Sequence, residues 1–369
     1  MQRRAYLQVT AVGLTTGFAG CNGLTDGSTP TDTATETASP TGTQEPTPRE
    51  NPPAVDPSLF MQLLPRKHLG APETGGSATS VFHRVDWEWY LSMRETTPEW
   101  GPAGDEIWSF APTSTNLEEV PKEDILKTPH FGGIITAFNV EGNVGEFPNL
   151  GPEMMRQCGL KADDGEREAA RVVNEVVAYN SPTMTIFIGV NTDSVRNALA
   201  ENTSQEYENA NITEYLGAGE AESRNIFVSD EQSQGVVAVQ TGDASPEEVA
   251  PMAVRLAGVN DSMVAEESVR WCLSRLVPGP IVTGEINGGR YKFAGNGRSD
   301  RGVDRLEPFD TLMTSMNAQQ FTGSVQHVFS AVDNPAPDEA ALEESFKLDS
   351  GTWNTEYHPD VSSIDAAWD

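Results

Sequence analysis

The chain has 369 residues, enough for a large core or two domains of ordinary size, so length alone excludes little. Its 55 acidic side chains against 24 Lys plus Arg give a formal charge of -31, spread along the whole sequence. That balance excludes charge-driven binding of nucleic acid or anionic lipid, which needs a basic footprint, and it marks a surface adapted to high salt, where a Debye length of ~3 Å at 1 M screens self-repulsion.

The first element in chain order is "MQRRAYLQVTAVGLTTGFAGC". Arg3 and Arg4 supply a positive n-region, and the weakly apolar stretch from Leu7 to Phe18 is too short and too rich in Thr and Gly to span a bilayer. "RRAYL" resembles a twin-arginine export signal. "FAGC" resembles a lipobox, with Ala19 and Gly20 before Cys21 and Phe18 in place of the usual Leu. The resemblance implies a lipid on the Cys21 thiol and a mature chain that starts there. Residues 1–21 therefore read as a signal peptide and residues 22–56 as a disordered acidic tether rich in Thr, Ser and Pro, with almost no large apolar side chain to offset ordering entropy. Residues 57–180 read as an N-terminal α+β module and residues 181–369 as a C-terminal one. The tether's hydroxyl density suits O-glycosylation, and Asn202, Asn211 and Asn260 each open an Asn-x-Ser/Thr sequon.

In "SVFHRVDWEWYLSMR", Val81, His83, Val85, Trp87, Trp89, Leu91 and Met93 alternate with mostly polar residues, the pattern of a half-buried strand. A competing reading turns helical near Asp86, because Val85, Trp89 and Met93 also recur every four residues. "EIWSF" and "HFGGIITAFNV" read as strands around a short helix, "PKEDILK". Asp163 to Tyr179 reads as a helix with Ala169, Val173, Val176 and Val177 on one face, ended by Asn180-Ser-Pro. "TMTIFIG" is a buried strand, Asp193 is placed to cap a helix carrying Val195, Ala198 and Leu199, and "NITEYL", "RNIFVS" and "GVVAVQT" are three more strands. A second helix opens at Ser245, with Pro246 at its first position and Glu248 completing a capping box; Val249, Met252, Ala253 and Leu256 form its inner face, and Gly258 stops it. Val269, Cys272, Leu273 and Leu276 then make the apolar stripe of a helix around Trp271, broken by "PGP", and "DEAALEESF" is helix-like. The order β-α-β-β-β-α predicts an α+β fold, with antiparallel or mixed sheets and helices packed on one face. Residues 57–180 admit a second such module, without a residue-level repeat.

Paired arginines, a lipobox, an acidic Thr/Pro tether and segments such as "GVNTDSVRNALAE" and "RNIFVSDEQSQGVVAVQTGD" resemble the exported lipoproteins of haloarchaea of uncharacterised function. The resemblance implies a protein delivered by the twin-arginine translocase, anchored to the outer face of the cell membrane by the lipid on Cys21. It carries over no catalytic residue.

No GxSxG, HExxH, GxxxxGK[ST] or GxGxxG motif occurs, and the five histidines are too scattered for a spaced metal motif, so no catalytic residue, metal or cofactor is assigned. His83 and Asp86 are the nearest acid/base pair, but at i and i+3 on a strand they point to opposite faces. Cys158 and Cys272 either form a disulfide or stay apart; the helical stripe favours Cys272 as a small buried hydrophobe. Four tryptophans, Trp87, Trp89, Trp100 and Trp108, serve either as core or as a stacking platform for a sugar or apolar ligand. "NGGRYKFAGNGRSDRGVDR" is the one locally basic stretch, where Arg290, Arg298 and Arg301 form a candidate site for an anionic ligand or envelope partner. The expected function is binding or envelope structure. The alternatives are an extracellular hydrolase with a nonstandard carboxylate site, or the solute-binding lipoprotein of a transporter.

Overall fold

The computed structural model describes residues 51–64, 80–96, 173–179, 184–207, 212–216, 225–231, 233–240, 262–286, 309–319, 322–331, 336–346 and 352–368. In chain order the elements are α1 (Leu59–Leu63), β1 (Ser80–Asp86), α2 (Trp87–Thr96), β2 (Glu175–Tyr179), β3 (Met184–Ile188), α3 (Thr192–Ala198), β4 (Ser204–Tyr207), β5 (Ile212–Leu216), β6 (Asn225–Glu231) and β7 (Gln234–Gln240). A 3₁₀ turn (Met263–Ala265) then leads into α4 (Glu267–Arg275), β8 (Ile281–Ile286), β9 (Thr311–Gln319), β10 (Thr322–Ser330), α5 (Glu339–Phe346), β11 (Thr352–His358) and β12 (Val361–Trp368). The chain is α+β and dominated by its sheet: the twelve strands form one sheet in the order β11-β12-β10-β9-β8-β1-β2-β3-β7-β6-β5-β4, and every neighbouring pair is antiparallel. None of the described helices is long and apolar enough to cross a membrane.

Strand β1 occupies the middle, with His83 opposite Ala178 of β2 on one side and Thr283 of β8 on the other. The alternation of its sequence stops at Asp86. There the Asp86 Oδ1 accepts a hydrogen bond from the Trp89 backbone N–H at 2.9 Å and starts α2, so the competing helical reading of this segment is the one the fold adopts.

Residues 175–179 are strand β2 rather than the end of a helix. Val176, Val177, Ala178 and Tyr179 are all buried, and an apolar run covered on both faces satisfies the helical spacing and a central strand equally; pairing with β1 and β3 decides it. The N-cap of α3 is Asn191, whose Oδ1 accepts from Ser194 N at 3.2 Å; Asp193 lies in the first turn instead. Strands β3, β5, β6 and β7 fall where their apolar runs predict. The expected strands and helix between residues 104 and 140, the helix from Ser245 and residues 163–172 lie outside the described residues.

The two ends of the sheet are built alike. The chain leaves β3 through α3 to the outermost strand β4 and returns by β5, β6 and β7 to pair with β3. At the other end it leaves β10 through α5 to the outermost strand β11 and returns by β12 to pair with β10.

One core joins these parts. Phe60, Met61, Leu63 and Leu64 from α1 and Val269, Trp271 and Cys272 from α4 pack with Phe82, Val177, Ile186, Phe227, Met313 and Val328 of the sheet. Full burial of such side chains contributes about 1.5–3 kcal/mol each. Cys272 is a free, buried thiol against the carbonyls of Thr311 and Val328, and burial pushes its pKa up to about 12, so it packs as a hydrophobe and resists oxidation. Across the middle lies Arg84. Its guanidinium donates to Gly279 O at 2.9 Å and to Glu175 Oε1 at 2.9 Å, and sits 5.8 Å from the centre of the Phe60 ring.

The Phe82 ring lies directly over Gly284 of β8, in the space a Cβ would fill. Gly284→Ala is therefore expected to destabilise the chain by about 1–3 kcal/mol through overpacking, and Phe82→Leu in the same chain to recover part of that loss. Urea unfolding in molar salt of the two single variants and the double variant measures both effects.

Candidate functional site

Helix α4 stops short of the sheet beneath it. Leu276 N still bonds to Cys272 O at 2.9 Å, and then "VPGP" leaves the helical path because neither proline can donate a backbone hydrogen bond. The departing segment is tied to the sheet by side chains. Val277 N donates to Gln326 Oε1 at 2.7 Å, Gln326 Nε2 donates to Arg275 O at 3.2 Å, and Gly279 N donates to Ser315 Oγ at 2.6 Å. Arg84 holds Gly279 from the other side.

Beyond this wall the sheet face that α4 covers continues with no further described element over it, and its residues turn polar. The register sets Ser315, Gln326, Asp365 and Asn354 in one row across β9, β10, β12 and β11, and Asn317, Ser324, Ala367 and Thr352 in the next. Together with Val277, Pro278 and Gly279 they enclose an open groove of about 460 Å³. Asn317, Ser324, Thr352 and Asn354 are exposed, Gln326 and Asp365 half-buried, and Ser315 buried. Ser315 and Gln326 are spent on holding the wall. The exposed amides and hydroxyls and the Asp365 carboxylate face the groove.

Asp365 is the one charged residue of the lining. Burial raises its pKa above the ordinary value, the nearby Glu356 carboxylate raises it further, and the Gln326 side chain partly offsets both. Glu356 itself is ion-paired with Arg275 at the end of α4. The site therefore offers neutral donors and acceptors around a single desolvated carboxylate, which suits hydroxyl groups: each can donate to the acid or the amide oxygens and accept from the amide N–H groups.

The other sheet face carries a second polar feature. Thr185, Ala178, His83, Thr283, Thr314 and His327 stand in one cross-strand row over β3, β2, β1, β8, β9 and β10. A mostly apolar row, Phe187, Val176, Val85, Ile281, Met316 and Val325, runs beside it. His83 Nδ1 lies 3.3 Å from Thr283 Oγ1, and the hydroxyls of Thr185 and Thr314 are buried with no hydrogen-bond partner among the described residues. Burial lowers the pKa of His83 to about 4. Asp86 does not meet His83; it caps α2 and lies 3.8 Å from Arg84.

Of the residues that the sequence singled out, Trp87 is buried and stacked on Tyr90 at 5.0 Å, Trp89 is half-buried, and neither lines the groove. Asn202 follows α3 in a turn, its N–H bonded to Leu199 O at 2.9 Å. Arg3, Arg4, Cys21, Cys158, Asn211, Asn260, Arg290, Arg298, Arg301, Trp100 and Trp108 lie outside the described residues. The groove itself escaped sequence reasoning. Its only linear signal is the polar half of alternating strands such as "TLMTSMNAQ", which any solvent-facing strand shares.

No protein-family model and no curated protein matches the chain. The chain is similar to solved structures described as crystal forms III and I of TP0453: TM-scores are 0.35 and 0.32 at 10% identity, covering 85% of this chain and 94% and 93% of those chains. Likeness at this level carries no argument about fold or function.

Because the folded-state pKa of His83 lies below the ordinary 6.5, the unfolded chain binds this proton more readily. The contribution of neutral His83 is present above pH ~6.5 and is lost as the pH falls towards its folded value of about 4. Wild type is expected to lose more stability over that interval than His83→Gln, as read by thermal unfolding across the pH range at constant molar salt.

Proposed function

We propose that this chain is a binding protein anchored by lipid to the outer face of a cell membrane in a high-salt envelope, with the polar groove beyond α4 as its binding site. The observation that carries the reading is the groove lining: exposed hydroxyls and amides around one half-buried carboxylate, beside a wall fixed by hydrogen bonds to the sheet and to Arg84. A site held this way is ordered before its ligand arrives, which reduces the entropy cost of binding. Its chemistry fits a neutral, hydroxyl-rich ligand of the carbohydrate class.

The address rests on residues 1–21, with Arg3 and Arg4 as the export signal and Cys21 as the lipid acceptor. Arg290, Arg298 and Arg301 are the proposed contact for an anionic envelope partner. Residues 57–180 and 181–369 are proposed as two α+β modules that contribute strands to one sheet. A glycoside hydrolase working through paired carboxylates would need a second one in the groove; among the described residues Glu356 is the nearby candidate, and it is engaged by Arg275 and is not part of the lining, which supports the binding reading.

Intact-mass analysis of protein extracted from its own membranes should find a chain beginning at a lipid-bearing Cys21, and Cys21→Ser should leave the chain unprocessed or release it to the medium. An unmodified soluble chain would remove the anchor. For the groove, glycans of the producing organism's envelope, immobilised and probed in molar salt, should retain the wild-type chain, and Asp365→Asn or Asn354→Ala should weaken retention at least tenfold. Since Asp365 has a raised pKa, Asp365→Asn should at the same time hold or increase stability at neutral pH, and this difference should shrink as the pH falls through the carboxylate range. Equal retention of wild type and both variants would dismiss the groove as the binding site.

A further inference from the structure

The two edges of the sheet differ. At one end β4 has only four residues, Ser204–Tyr207, with Ser204, Gln205 and Glu206 exposed and the Asn202 sequon just before it. A short, charged strand is an edge guarded against pairing. At the other end β11 runs for seven residues, Thr352–His358, without Pro or Lys, and pairs only with β12 among the described strands. Its residues are exposed or half-buried throughout, and Tyr357 is 47% exposed. The strand is also held rigid: Trp271 of α4 stacks on His358 at 5.2 Å, Arg275 pairs with Glu356, and Thr355 Oγ1 donates to Glu339 of α5 at 3.2 Å. An edge of this length with which no further described strand pairs is a template for another strand.

The sequence of β11, "TWNTEYH", identifies that strand. Set antiparallel to itself about Thr355, it places Trp353 against Tyr357 and Thr355 against Thr355 on one face, and Asn354 against Glu356 and Thr352 against His358 on the other. Every opposed pair is favourable or neutral: two aromatic pairs, a Thr–Thr pair, and no carboxylate facing a carboxylate. A twofold contact demands this kind of self-complementarity, in which residue i meets j and j meets i.

We infer that two copies of this chain pair through β11, antiparallel and centred on Thr355, so that two twelve-stranded sheets become one. This contact does not depend on the binding reading, although it bears on it. Thr352 and Asn354 line the groove, so the pairing sets two grooves side by side on one face of the joined sheet. The like charge of the copies, -31 each, opposes association, and the Glu339 carboxylates of the two chains approach one another beside Thr355. The pair should therefore tighten as salt rises, the reverse of an ion-paired interface.

The test uses the full chain carrying Cys21→Ser, to remove lipid-driven assembly, and measures mass by light scattering and sedimentation between low and molar KCl. A dimer whose fraction grows with salt is expected. In that background Thr355→Cys should cross-link two chains on mild oxidation, because directly opposed residues have Cα atoms ~4.5–5.5 Å apart, within disulfide range. Tyr357→Cys should not, since its counterpart lies four residues out of register, roughly 13 Å along the strand. Trp353→Lys with Tyr357→Lys opposes two ammonium groups and should give a monomer, whereas Trp353→Lys with Tyr357→Glu should restore the dimer; circular dichroism confirms that each variant is folded, and the cysteine pair decides the matter where one is not. A wild-type chain that stays monomeric in molar salt, equal cross-linking through positions 355 and 357, or a folded double-lysine variant that remains dimeric would each overturn the inference.

Discussion

Strand β1 pairs along both of its edges, and among the described strands the two wings of the sheet are hydrogen-bonded through it alone. The contacts it makes are distant in sequence: Arg84 reaches Glu175 across 91 positions and His83 reaches Thr283 across 200. Loop closure over such lengths grows only logarithmically in cost, so distance in sequence weighs little on equilibrium stability and more on the speed of folding. Phe82 and Val85 are completely buried because both edges and both faces of β1 are occupied. Arg84 works in the same place on a polar basis, satisfying carbonyls of the segment before β8 and a carboxylate of β2 with one guanidinium. The strand that joins the wings also fixes the segment that walls the groove.

The groove exists because a helix ends before the sheet it covers does. Under α4 the inward positions of β9 and β10 are Met313 and Val328; one step farther along they become Ser315 and Gln326, whose polar groups hold the turn after the helix. The next positions face solvent and are free to meet a ligand. Asp365 sits at this boundary, half-buried and close to Glu356, in surroundings that disfavour its charge. A carboxylate in such surroundings costs stability at neutral pH, and it fits the proposal that the groove binds a ligand.

Much of the fold could be read from the chain. Strands β3, β6 and β7 are each built on a short apolar run, "IFI", "IFV" and "VVAV", and the Val269, Cys272 and Leu276 stripe of α4 is legible. The failures have specific physical causes. Val173, Val176 and Val177 satisfy a helical period and a strand buried on both faces at once, and only pairing with β1 and β3 separates the two. Strand β4, "SQEY", is polar and exposed apart from Tyr207, so its pairing with β5 leaves little hydrophobic trace in the sequence. Strands β8 to β12 alternate legibly in hindsight, but their meaning depends on partners far along the chain. The groove was the least legible part, because cross-strand rows such as Ser315, Gln326, Asp365 and Asn354 draw one residue from each of four strands and so have no linear spacing.

Helix α1 receives the chain from the N-terminal side, and its position settles how a mechanical load enters the body. A pull applied upstream of Asn51 arrives first at α1 and its C-cap, which are held by Phe60, Met61, Leu63 and Leu64 in the core, the bond from Met263 N to Leu64 O at 2.8 Å, and the Arg84 cation against the Phe60 ring. Those contacts lie in series, so tension would peel them one after another, at far less force than is needed to shear a ladder of strands in parallel. The turn would yield before the sheet did. Under the proposed anchoring, α1 is thus the contact that a pull from the N-terminal side reaches before it reaches the sheet and its groove.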